Sequence, residues 1–188
     1  DQDLKTARET YLQQAEKIFS NPKNYGRHGS NLRTFIIRAF SGKLFTFEEL
    51  QRFVNNIFLN QLHSQTNNLT NISLEVFINI LESCVFNGVI TPAQLKAATK
   101  VSIDKLPFGE NKIKALGNLV LLHGFMLKKN LNRLKDPYIV PLIESLFEVI
   151  NQSINHCKGL PVELLPDFVV LMSSLSNLQE VFEKTPYN

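Results

Sequence analysis

Apolar residues recur at helical spacing along almost the whole chain. Leu4, Ala7, Tyr11, Leu12, Ala15, Ile18 and Phe19 follow an i, i+3, i+4, i+7 rule, and so do Leu50, Phe53, Ile57, Phe58 and Leu62. Strand-type alternation is nearly absent. Breakers cut the pattern at Asn21-Pro22, Tyr25-Gly26, Ser41-Gly42, Asn67-Asn68, Asn87-Gly88, Pro107 to Gly109, Asp136-Pro137 and Gly159-Leu160-Pro161. The pattern predicts an all-α fold of about eight helices, with those apolar positions as the candidate core.

Start signals place the helices. Thr46-Phe47-Glu48-Glu49 reads as a capping box, in which the Thr hydroxyl accepts from the third helical N–H and the Glu reaches back to the cap amide. Thr91-Pro92-Ala93-Gln94 repeats it with Pro at the first helical position, where a missing N–H is harmless. Asp136-Pro137 reads as a third start, its carboxylate also favoured by the helix dipole. Positions 46, 91 and 136 are each 45 residues apart, and each block holds two predicted helices. In period and layout the chain resembles the HEAT and armadillo α-solenoids, which stack helical pairs every ~40–47 residues. The resemblance implies four antiparallel pairs in a solenoid-like stack; an irregular helical bundle with the same helices is the other arrangement. It covers architecture only, so it carries over no functional residue.

With 188 residues, 44% of them hydrophobic, the chain can bury a sizeable core, so a single domain over residues 1–188 is expected. It starts at Asp1 without an initiator Met, which suggests a piece of a longer protein or a processed form. Cys84 and Cys157 lie far apart without CxxC spacing, which argues against a disulfide scaffold or a cysteine-rich zinc site and suits a reducing, intracellular (cytoplasmic) setting. A basic, Asn-rich helical domain also suits a bacterial effector delivered into a host cell. The longest apolar run, around Leu116–Leu127, is short of a membrane span.

The net charge of +3 is mild, but its distribution is polarised. Residues 21–52 carry +4, residues 94–135 carry +7, and residues 136–188 carry −5. Two basic groups are therefore candidates for binding an anion or an acidic partner. One is Lys23, Arg27, His28, Arg33, Arg38 and Lys43, where Ser30 would cap a helix whose free N–H groups can hold a phosphate. The other includes Lys112, Lys128, Lys129, Arg133 and Lys135. Four of these lie near a helix end, where cations also answer the negative pole of the dipole. Compensation by the acidic 136–188 segment is the alternative explanation.

Chemistry-bearing motifs are scarce. Arg27-His28-Gly29 matches the triplet of the histidine phosphatases, but in that family an apolar β-strand precedes it, whereas Asn21-Pro22-Lys23-Asn24-Tyr25-Gly26 stands here. Gly42-Lys43 ends no phosphate loop, because Ile37 stands where a glycine is needed. His28, His63, His123 and His156 show no metal-ligand spacing, and His123 among Leu121, Leu122 and Phe125 reads as a satisfied buried histidine. Gly117 and Gly124 share one helix face, which permits close approach of another helix, from the core or from a partner. No catalytic residue, cofactor or metal is expected. The expected function is a helical protein-interaction or scaffolding module of a larger intracellular protein, with another protein as partner. The alternative is binding of RNA or an anionic lipid headgroup through segments 23–43 and 96–135.

Overall fold

The computed structural model describes residues 2–19, 31, 34–59, 74–104, 111–133 and 136–157, together with Ser173, Ser176, Leu178, Gln179 and Glu183. All regular structure among the described residues is helical, with no strand, so the fold is all-α. The chain divides into two compact units, Asp1–Val89 and Ile90–Asn188, and the division falls just before the Thr91 cap.

In the first unit α1 spans Gln2–Phe19, α2 residues 34–41, α3 Phe47–Val54 and α4 Leu74–Phe86, with a π-helical turn at Asn55–Leu59 after α3. The capping box forms as expected: Glu49 N–H donates to Thr46 Oγ1 at 3.2 Å, and Thr46 N–H donates to Glu49 Oε2 at 2.8 Å. It sets the first turn of α3 so that Leu50, Phe53, Val54 and then Ile57 turn inward. Only part of the α1 apolar set follows. Leu12 and Ala15 are buried, whereas Leu4, Tyr11 and Ile18, spaced by seven, are more than half exposed. The apolar arc of α1 is wider than the face its neighbours cover. Residues Phe77, Ile78, Ile80, Leu81, Cys84 and Val85 of α4 are all buried, while Glu75, Asn79, Glu82 and Phe86, at helical spacing, leave one narrow face outside the core. Burial pushes the Cys84 thiol up to about 12, so it stays protonated and inert at neutral pH. A Schellman motif ends α4: Val89 N–H donates to the Cys84 carbonyl and Gly88 N–H to that of Val85, both at 3.1 Å, with Gly88 at φ +71°.

In the second unit α5 spans Pro92–Asp104, α6 Asn111–Lys129 and α7 Val140–Cys157, with a 3-10 turn at Leu131–Arg133. The Thr91 box forms too, with Gln94 N–H to Thr91 Oγ1 at 3.3 Å and Thr91 N–H to Gln94 Oε1 at 2.8 Å. The third start differs from expectation. Asp136 Oδ1 accepts from Tyr138 N–H at 2.9 Å and Oδ2 from Arg133 at 2.7 Å, so the carboxylate closes a turn; these bonds also hold its pKa below the usual value. The α-helix begins at Val140, its first bond running from Ile143 N–H to the Ile139 carbonyl at 3.2 Å. Pro141 is the reason. In a helix starting at Asp136 it would need an N–H it lacks and would clash with the Pro137 carbonyl, whereas in a helix starting at Val140 it sits in the first turn.

Helix α7 packs against both α5 and α6. His123 of α6 meets Ser145 of α7, and Lys112 of α6 lies close enough to His156 of α7 to disfavour its protonated form, beneath the larger effect of desolvation. Eleven residues back along α6 therefore correspond to eleven forward along α7, which makes the two antiparallel. Leu116, Leu119, Val120 and Leu127 of α6, Leu95 and Ala98 of α5, and Leu142, Leu146 and Val149 of α7 are buried. The eighth expected helix falls where only single helical positions, among them buried Leu178, are described.

Candidate functional site

An apolar groove lies in the first unit between α1, α2 and the Leu44-Phe45 segment, with a volume of about 600 Å³. Its wall is built from rings. Tyr11 stacks on Phe35 at 6.1 Å and on Phe45 at 6.0 Å, while Phe35 packs on Phe53 at 5.0 Å and on Phe19 at 5.8 Å. The inner rings anchor the cluster and the outer edge stays open: Leu44 is 70% exposed and Leu4 62%. The charged residues lining the groove are Arg8 and Arg38. Arg8 Nε lies 3.4 Å from Glu49, the same carboxylate that closes the capping box, so the α3 start and the groove wall share one residue. Arg38 is exposed and extends the cationic edge.

Lys43, just before Leu44, holds a left-handed backbone at φ 51°, a conformation that favours glycine. The local sequence places glycine one position earlier, at Gly42, whose N–H donates to the Arg38 carbonyl at 2.8 Å. Replacing Lys43 by Gly is expected to raise stability by about 0.5–1 kcal/mol in urea unfolding; no change would mean the surroundings already relieve the strain.

Of the sequence-predicted basic residues, Lys23, Arg27, His28, Arg33 and Lys135 lie outside the described residues. Arg38 lines the groove of the first unit, Lys43 precedes the lining residue Leu44 in the chain, and the rest belong to the second unit. Lys112 stands in the first turn of α6 while Lys128 and Lys129 stand in its last, ~25 Å apart at 1.5 Å per residue. Lys129 lies 4.5 Å above the Phe125 ring, and Arg133 both pairs with Asp136 and lies 4.8 Å from the Tyr138 ring. Helical spacing did not reveal the groove, because Leu4, Tyr11 and Phe35 carry the same periodic signal as core residues.

The buried His123 is fully partnered. Its Nδ1 lies 2.6 Å from the Leu119 carbonyl and its Nε2 2.7 Å from Ser145 Oγ. A carbonyl accepts only, so Nδ1 carries the proton and Nε2 accepts from the Ser145 hydroxyl. Desolvation, partly offset by the bond to Leu119, lowers its pKa from 6.5 to about 4. The imidazole is thus neutral at physiological pH and ties α6 to α7.

Among the described residues no group of His, Cys, Asp and Glu is placed to hold a metal ion, and no helix is long and apolar enough to cross a membrane. No family model, no curated protein and no solved structure matches the chain.

Proposed function

We propose that the chain is a helical protein-interaction module that docks a partner segment in the groove of its first unit. The observation that supports this is the pairing of an open aromatic and aliphatic wall with two arginines as its charged lining. Such a surface favours an amphipathic segment whose apolar side chains cover Tyr11, Phe35 and Leu44 and whose acidic side chain meets Arg38. Apolar anchors supply most of the affinity in helix-in-groove recognition, and the ion pair sets orientation and specificity. The backbone strain at Lys43, next to the most exposed large apolar side chain among the described residues, fits a segment held out for contact.

Affinity capture from lysate, with and without nuclease, compares the wild type with Leu44→Asp and Arg38→Glu. The expected result is a nuclease-resistant partner lost with Leu44→Asp, which puts a carboxylate in the apolar wall, and weakened with Arg38→Glu. A partner retained in full by both variants overturns the groove assignment. Recovery that vanishes with nuclease, and falls steeply with added salt, supports nucleic-acid binding instead.

A further inference from the structure

We infer that the cleft between α5 and α7 in the second unit binds a small zwitterion of the α-amino-acid class. The cleft encloses about 780 Å³, within the ~300–1,000 Å³ of small-molecule sites, and no element of the interaction reading uses it. Lys96, Lys100, Asp104, Glu144 and Glu148 line it together with Thr99. Lys96 Nζ is committed to Glu144 Oε2, and Gln152 Nε2 donates to Glu148 Oε1 at 3.1 Å, which orients that carboxylate. Lys100 and Asp104, one turn apart on α5, and Glu148 on α7 remain to meet a ligand. A simple anion would face the carboxylates of Asp104, Glu144 and Glu148, and a simple cation would face two ammonium groups. A molecule bearing both charges satisfies both sides.

Thr99 independently points the same way. It is 1% exposed, and its Oγ1 is the one fully buried side-chain polar atom among the described residues that has no hydrogen-bond partner. Its neighbours behave otherwise. Ser102 on α5 donates to the Ala98 carbonyl at 2.9 Å, Ser153 on α7 donates to that of Val149 at 2.7 Å, and Ser145 donates to His123. A buried hydroxyl without a partner is rare enough in folded proteins to call for an explanation. A ligand carboxylate held between Lys100 and the Thr99 hydroxyl provides one, with the ligand ammonium toward Glu148 and Asp104.

Calorimetric titration of the full chain with each standard free amino acid, and with the matching N-acetyl amides that lack both backbone charges, tests the assignment. At least one free amino acid is expected to bind, its amide is not, and Thr99→Val and Glu148→Gln each weaken binding about tenfold. Thr99→Val is close in shape, and circular dichroism checks that it folds. Absence of binding by every free amino acid at millimolar concentration, equal binding of the amide, or full affinity in Thr99→Val overturns the proposal.

Discussion

Between pH 6.5 and pH 4 the second unit is expected to lose about 3 kcal/mol of stability through His123 alone. In the folded state this imidazole takes up a proton only near pH 4, whereas in the unfolded chain it does so near 6.5. The unfolded state therefore binds more protons between these values. The stabilisation is complete above pH 6.5, about 2 kcal/mol of it is gone by pH 5, and the loss levels off below pH 4. Urea unfolding at stepped pH measures the slope, and the His123 ring signals in NMR show whether the folded imidazole stays neutral through pH 5. Substitution of His123 by Gln should lower stability at pH 7 and remove this part of the slope. An unchanged slope in that variant would assign the acid sensitivity to other groups.

The second large effect is expected at the contact of Gly124 with Leu178. A Cβ built on Gly124 would lie 2.8 Å from Leu178 Cδ2, and Leu178 is 2% exposed. The glycine face of α6 is thus occupied at this point by a side chain of the same unit, so its small residue serves internal packing. Leu178→Ala should cost about 3 kcal/mol, as deletion of a buried leucine does. Gly124→Val should cost about 1–2 kcal/mol, because overpacking outweighs the better helix propensity of valine. Combining the two should cost less than their sum, since the alanine vacates the space the valine needs. A coupling of about 1 kcal/mol in a double-mutant cycle is the expected reading, and strict additivity would place Leu178 elsewhere.

Local features of the sequence were the most faithful guides. Both capping boxes depend on residues three apart, and the Gly88 turn on a short run, so neighbouring side chains and backbone decide them before any tertiary contact forms. The same locality explains the one misread start. Asp136-Pro137 carries a cap signature, but Pro141, four residues after Pro137, is incompatible with a helix that begins there. That exclusion was legible in the sequence and needed only a longer window.

Which apolar residues are core and which are surface was not legible. Leu4, Tyr11 and Ile18 share the helical spacing of Leu12 and Ala15, and periodicity reports a face of a helix without saying how much of it neighbours cover. Likewise the +7 segment reads as one candidate basic group, yet its α6 members stand at opposite ends of a 19-residue helix, and Lys129 and Arg133 contact nearby aromatic rings.

The sequence by itself thus determined the all-α class, the positions of the helix starts set by capping boxes, the glycine-closed end of α4 and the character of His123, because each follows from interactions within a few residues. Tertiary packing alone decided that Ser145 completes the hydrogen bonding of His123, that Thr99 keeps an orphaned hydroxyl beside a charged cleft, and that the Tyr11 ring opens onto a groove. Those outcomes depend on which helices meet and at what register, and no residue's immediate neighbours in the chain carry that information.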